Sequence, residues 1–124
     1  MRQIPTLILP TYLGQITPPV VTVETIGDAL THVSDSLPVW MLQEKTAYIY
    51  AVAAGGPAAL NVWVEFAPYD VAALYVPLTA PTVFAATRND IIAWATHSEF
   101  ARVVAQCPLW AAGSWTVAVW FEAK

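Results

Sequence analysis

The sequence has few charged residues. Asp, Glu, Lys and Arg make up 11% of its 124 residues, against about a quarter in an ordinary soluble domain, while apolar residues reach 57%. Its five cations are scattered along the chain, which argues against nucleic acid as a partner because such binding needs a basic stripe. Because so few charges cannot cover a monomer's surface, we expect part of the apolar excess to face another molecule.

Cysteine and the motifs of catalysis are also scarce. Cys107 is the single cysteine, which excludes an intrachain disulfide, and its strand-like surroundings favour a buried, inert thiol. Neither His32 nor His97 has a second histidine or cysteine at metal-ligand spacing, so we predict no metal site. Glycine-rich phosphate loops and nucleophile-elbow motifs are missing as well. We therefore predict a non-enzymatic protein with no catalytic residues and no cofactor.

Prolines are concentrated in the first twenty residues, at positions 5, 10, 18 and 19. Repeated prolines exclude a long helix or a central strand, and the rest of this segment is too apolar for a disordered tail. They also interrupt the apolar run that a signal peptide needs, so we expect none. We predict an extended arm over residues 1–19 that lies against a surface, with contacts at Ile4, Leu7, Leu9 and Tyr12.

From residue 20 to residue 124 the sequence has the pattern of one β-domain. Short segments rich in Val, Ile, Trp and Tyr alternate with Gly, Pro, Asn or Asp, which predicts about eight strands in an antiparallel β-sandwich of jelly-roll type. ALYVPL, residues 73–78, is one of these predicted strands. We expect Trp115 in its core. Residues 46–64 carry no charge and could match a membrane span in length. Their central Gly55-Gly56-Pro57 indicates a hairpin over residues 46–67 instead, and we expect no membrane partner.

Two of these strands place a tryptophan beside a glutamate on the face opposite their core row. They are Trp63 with Glu65 in AALNVWVEFA, and Trp120 with Glu122 in SWTVAVWFE. Arg102, in the strand FARVVAQC, would meet Glu65 or Glu122 on an outer face if the strand order, which the sequence leaves open, places it beside one of them. Exposed aromatic side chains on a flat sheet suit protein interfaces or the stacking of sugar rings. Since a sugar site also needs several polar partners, which this face lacks, the interface interpretation is favoured.

The strand NVWVEFAPY, the segment EFARVVAQCP and the closing AGSWTVAVWFEAK together resemble small β-sandwich proteins of virus particles, especially the capsid decoration proteins of tailed bacteriophages. The resemblance covers residues 39–124 and consists of their strand pattern. It implies a protein of the virion that coats a capsid, often as trimers. The implied partners are further copies of the chain and the major capsid protein, whose subunit contacts it reinforces.

These observations lead to the hypothesis of a non-enzymatic, homo-oligomeric structural protein of a virus particle. Trp63 and Trp120 would anchor its sheet faces, with Glu65 and Arg102 as polar partners. Two alternatives stay open. A glycan-binding or adhesion module would stack sugars on the same tryptophans, and a carrier would hold an apolar ligand in the cavity of a small barrel.

Overall fold

The computed structural model describes residues 16–39, 44–77, 80–94 and 100–123, with side chains placed from residue 23 to residue 122 of these ranges. These ranges contain ten β-strands and a 3-10 helix, Ala72–Leu74, so the predicted all-β class is confirmed. They contain no helix that is long and apolar enough to cross a membrane. The strands are β1 (Ile16–Ile26), β2 (His32–Val33), β3 (Leu37–Pro38), β4 (Lys45–Ala54), β5 (Leu60–Ala67), β6 (Val76–Pro77), β7 (Thr82–Phe84), β8 (Arg88–Trp94), β9 (Phe100–Gln106) and β10 (Ser114–Ala123).

The strands form two antiparallel sheets that pack face to face. Sheet A has the order β1-β10-β4-β8, and sheet B has the order β2-β9-β5-β6, with β3 also pairing with β9 and β7 with β5. Buried side chains from both sheets belong to one hydrophobic core. This arrangement confirms the predicted sandwich, and it differs from the closed barrel that the carrier alternative needs.

Each long strand contributes one row of alternating side chains to the core, because successive residues of a strand point to opposite faces of the sheet. In β5 this row is fully buried at Leu60, Val62 and Val64. In β10 it contains Trp115, which is 0% exposed as expected. The Trp115 Nε1–H donates to the Ala58 carbonyl oxygen at 2.8 Å, so the indole is buried with its polar atom satisfied.

The predicted hairpin at residues 46–67 is wrong. β4 pairs with β10 and β8, whereas β5 pairs with β9, β6 and β7, so residues 55–59 cross from sheet A to sheet B. Gly55 and Gly56 have φ values of 74° and 67°, a backbone conformation that glycine adopts readily. The alternating pattern indicated correctly which residues of both strands are buried, but it does not specify which strand is the neighbour.

Two other elements differ from their predictions. β1 extends from Ile16, so it includes Pro18 and Pro19 of the expected arm, at an edge of sheet A where its register with β10 shifts between Ile16 and Val20. Such edges and irregular positions are where strands tolerate proline. The strand expected at residues 73–78 is instead the 3-10 helix followed by the two-residue β6. The arm contacts Ile4, Leu7, Leu9 and Tyr12 lie outside the described residues.

We expect Gly113→Ala to destabilise the fold more than Gly56→Ala. Both glycines have positive φ, 74° and 67°, so both substitutions carry the same backbone strain of about 1 kcal/mol. A Cβ at Gly113 would lie 2.5 Å from the Ala54 carbonyl oxygen, whereas one at Gly56 meets nothing within 4 Å. The clash should add about 2 kcal/mol to the loss in free energy of unfolding, measured by urea denaturation. Equal losses would contradict this close approach of the β9–β10 loop to the end of β4.

Candidate interaction surfaces

The outer face of sheet A carries a group of exposed apolar and aromatic side chains from all four strands. Val23, Tyr48, Tyr50, Ile91 and Trp120 are between 37% and 54% exposed. We call these five residues the aromatic face. Monomeric proteins rarely expose large contiguous apolar groups of this kind, so the face is a candidate for contact with another molecule.

Strand register makes these residues neighbours. Trp120 of β10 is opposite Tyr48 of β4, and Tyr48 is opposite Ile91 of β8, which gives one row across three strands. The adjacent row on the same side includes Tyr50 opposite Asn89. Side chains at directly opposite positions of antiparallel strands lie about 5 Å apart at Cβ, so the rows form a continuous surface.

A shallow groove of ≈ 340 Å³ lies in the aromatic face. It combines the aromatic rings with the polar Asn89 and Asp90 on the β8 side. The Asp90 carboxylate is engaged within the chain, since it accepts from Arg88 at 2.9 Å and from the Ile91 N–H at 2.8 Å. These bonds, the one from Arg88 first, lower the pKa of Asp90. The groove is lined by Tyr48, Ile49, Tyr50, Asn89, Asp90, Ile91 and Trp120.

The outer face of sheet B contains the other predicted site residues. Arg102 lies opposite Glu65 in the register of β9 and β5, and its Nη2 and Nε donate to Glu65 Oε1 at 2.7 and 2.9 Å. The pairing expected for Arg102 is therefore confirmed with Glu65. The Trp63 Nε1–H donates to the other oxygen, Glu65 Oε2, at 3.1 Å. The two charged side chains are only 14% and 18% exposed, so this ion pair is largely shielded from water.

Three residues that the sequence did not single out complete this group. The Arg102 guanidinium carbon lies 3.9 Å from the centre of the Tyr75 ring, a cation–π contact. Ser36 Oγ donates to Asp70 Oδ1 at 2.6 Å, and the Tyr75 hydroxyl donates to the same oxygen at 2.9 Å. These two bonds, that from Ser36 first, hold the pKa of Asp70 below its usual value. We call Ser36, Trp63, Glu65, Asp70, Tyr75 and Arg102 the Arg102 cluster.

The predicted anchors do not form one site. Trp120 belongs to the aromatic face of sheet A, whereas Trp63, Glu65 and Arg102 lie on the opposite side of the sandwich. The Arg102 cluster already uses its hydrogen-bonding groups within the chain. The aromatic face, by contrast, is exposed, and sequence reasoning found only Trp120 of its five residues. Tyr48, Tyr50 and Ile91 follow the same strand alternation, which was the signal that could have identified them.

Cys107 and His32 could carry chemistry, and both have partners among the described residues. Cys107 is buried, and its thiol lies 3.3 Å from the Ala58 carbonyl oxygen. Burial raises the pKa of Cys107, which fits the inert thiol expected from the sequence. His32 Nε2 lies 2.8 Å from Asp28 Oδ1 and its Nδ1 lies 3.5 Å from Glu24 Oε1. Across the described ranges, no three His, Cys, Asp or Glu side chains are arranged to hold a metal ion.

Comparison with known proteins shows likeness of fold alone. No family model matches the chain, and no curated protein sequence matches it. Among solved structures, PirA has a TM-score of 0.61 at 10% identity, covering 82% of this chain and 92% of PirA. The N-terminal cellulose-binding domain of Cellulomonas fimi β-1,4-glucanase C has a TM-score of 0.53 at 13% identity, covering 87% and 80%. These identities establish a shared β-sandwich and nothing finer.

A third similar structure comes from Bacillus endospore appendages, which form disulfide-linked pili. Its TM-score is 0.52 at 12% identity, covering 89% of this chain and 88% of that chain. The cellulose-binding domain is a binding module and the appendage protein is a structural one. The chain thus shares its β-sandwich fold with a binding module and with a structural protein.

We expect Glu65→Gln to destabilise the fold by about 3 kcal/mol, because it leaves the largely buried Arg102 guanidinium without its counter-charge. The matched control is Asp90→Asn, which removes the partner of Arg88 from an ion pair whose side chains are 39% and 43% exposed. Exposed pairs contribute at most about 1 kcal/mol. Urea denaturation at neutral pH measures both variants. Similar losses for the two would mean that the Arg102 cluster is no better shielded than the surface.

We also expect part of the acid sensitivity of the fold to come from Asp70. Because its folded-state pKa is lowered from 3.8, its ionised form stabilises the fold above that value, and this stabilisation is lost as pH falls through the folded-state pKa. Asp70→Asn removes the titrating group. The stability difference between wild type and Asp70→Asn should therefore shrink between about pH 6 and pH 2, in thermal denaturation followed by circular dichroism. Parallel pH profiles for the two proteins would refute this role.

Proposed function

We propose that this protein is a non-enzymatic structural protein of a virus particle, which decorates or stabilises the capsid through contacts with further copies of itself and with the major capsid protein. The aromatic face carries this proposal. Among the described outward positions of sheet A, Glu122 is the one charged residue, so the face offers apolar and aromatic area almost free of charge.

The energetics of this face favour contact with protein. Each Å² of apolar surface removed from water contributes about 25 cal/mol. Tyrosine and tryptophan are enriched at the centres of protein interfaces, and charged residues are depleted there. Trp120, Tyr48 and Tyr50 are 37%, 41% and 44% exposed, so their rings have both the area and the freedom to bury against a partner. A protein partner covers all three at once.

Two further contacts belong to the proposal. Residues 1–15 precede the described part of β1, and at about 3.3 Å per extended residue a segment of this length reaches up to roughly 50 Å. Its residues Ile4, Leu7, Leu9 and Tyr12 would bind a neighbouring subunit. On the other side of the sandwich, the partly exposed Trp63 would contact the capsid, held in place by its bond to Glu65.

A second candidate function is glycan binding, and the groove favours it. Tyr48, Tyr50 and Trp120 surround a space of ≈ 340 Å³, which lies within the range of small-molecule sites. Their rings could stack on sugars, and the Asn89 side-chain amide could donate to and accept from hydroxyl groups. The fold shared with a cellulose-binding domain supports the same alternative.

Experiments with purified virus particles distinguish the structural function from glycan binding. Mass spectrometry of density-purified particles from the source culture should detect the chain. Particles stripped of it should rebind the wild-type protein, whereas Trp120→Ser combined with Tyr48→Ser should bind at least tenfold more weakly, because truncation of interface aromatics commonly costs about 2 kcal/mol. Val83→Ser is the matched control, since Val83 is 52% exposed on sheet B.

Particles that lack the chain would refute the structural function. In that case, quenching of tryptophan fluorescence by cellohexaose, lost in the same double variant, would establish glycan binding instead.

A further inference from the structure

We infer that the aromatic face of one copy packs against the aromatic face of a second copy, related by a twofold axis that runs along β4. This inference rests on the proposed function and specifies its self-contact. Such an interface is isologous, meaning that both copies contribute the same residues.

Charge points to this face as the place where two copies meet. The chain has a net charge of −4, so copies repel each other unless the contacting surfaces are uncharged or complementary. The outer face of sheet B bears Glu65, Arg102 and Asp70. On sheet A, Glu122 is the one charged residue at the described outward positions, and it lies opposite Thr46 near the end of β10. Two such faces can meet with little charge to desolvate.

The row across the sheet is complementary to itself. Tyr48 on β4 lies between Trp120 on β10 and Ile91 on β8. Rotation by 180° about an axis along β4, in the plane between the two copies, exchanges the sides occupied by β10 and β8. Trp120 then faces the partner's Ile91, and Tyr48 faces the partner's Tyr48. Every contact in this row joins apolar or aromatic groups, which is the composition of an interface core.

The groove fits the same arrangement. Tyr48, Tyr50, Asn89 and Ile91 form its β4 and β8 sides, and these are the strands above which the twofold places the partner's Trp120. Its ≈ 340 Å³ accommodate an indole side chain. Insertion of the partner's Trp120 would bring the indole beside two tyrosine rings, at the distances where offset or edge-to-face contacts are favourable.

The area of the face sets the strength of the contact. With the axis along β4, strands β10, β4 and β8 of one copy lie against β8, β4 and β10 of the other, and β1 lies outside the contact. Three strands about 4.8 Å apart, with a rise of about 3.4 Å per residue over about eight residues, give a face of roughly 400 Å². Two copies then bury about 800 Å², the size of a weak contact. The dimer should therefore be weak in isolation, with a dissociation constant on the order of 100 µM, and stronger where neighbouring copies are held close together on a particle.

Sedimentation velocity of the full chain from about 5 to 300 µM tests the inference, since this range brackets a dissociation constant on the order of 100 µM. Ile91→Lys and Trp120→Glu each place a charge at an exposed position of the face, 54% and 37% exposed in the wild type, so both variants should fold. Each should weaken self-association at least tenfold, because the charge meets an apolar group. Val83→Lys, at a residue 52% exposed on sheet B, should dimerise like wild type.

A mixture of the two variants tests the twofold itself. In a mixed dimer Glu at position 120 faces the partner's Lys at position 91, and the second contact keeps its native Trp120 and Ile91. The mixture should therefore associate although neither variant does alone.

Wild type that is monomeric at all concentrations, or a dimer that survives Ile91→Lys, would overturn the inference. So would a mixture that fails to associate, or a monomer whose face binds cellohexaose. Presence of the chain in purified particles would uphold the proposed function in any of these cases.

Discussion

The two-residue repeat of side chains along a β-strand is the constraint on which the rest of this structure depends. It gives each strand one inward row, and the chain has more apolar residues than its inward rows can hold. In β10, Trp115 points inward and is 0% exposed, whereas Trp120, five residues later, points outward and is 37% exposed. With charged residues at 11% of the sequence, the outward rows cannot all be polar. An apolar outer surface follows from these two facts.

The outer faces of sheet A and sheet B differ in how their outward side chains are covered. On sheet B, Glu65 accepts from both Arg102 and Trp63, and the guanidinium is covered by the Tyr75 ring, so the polar groups satisfy one another and shield the sheet. On sheet A, the exposed aromatic residues are flanked mainly by threonine, alanine and asparagine. The polar groups on the outer face of sheet B are therefore paired within the chain, while the outer face of sheet A leaves apolar and aromatic surface exposed. This asymmetry distinguishes the two outer faces of the sandwich.

The connection between the sheets shows how the core accommodates a crossing backbone. Residues 55–59 pass from β4 to β5, and a buried carbonyl group there needs a hydrogen-bond donor. The Ala58 oxygen receives the Trp115 Nε1–H at 2.8 Å and lies 3.3 Å from the Cys107 thiol. One donor belongs to sheet A and the other follows β9 of sheet B. Trp115 of β10 thus fills the core and also hydrogen-bonds to the segment 55–59 that connects the two sheets.

The sequence by itself determined what is local: the all-β class, the inward rows of β5 and β10, and the burial of Trp115. These follow from side-chain alternation. For Arg102 the sequence offered Glu65 and Glu122 as partners without choosing between them. Tertiary structure alone decided that β4 and β5 lie in different sheets, that Trp63 and Trp120 face opposite sides, and that Ser36, Asp70 and Tyr75 join Arg102. Strand partnership and sheet membership depend on contacts between residues far apart in the chain, and alternation is the same whichever strand lies beside it.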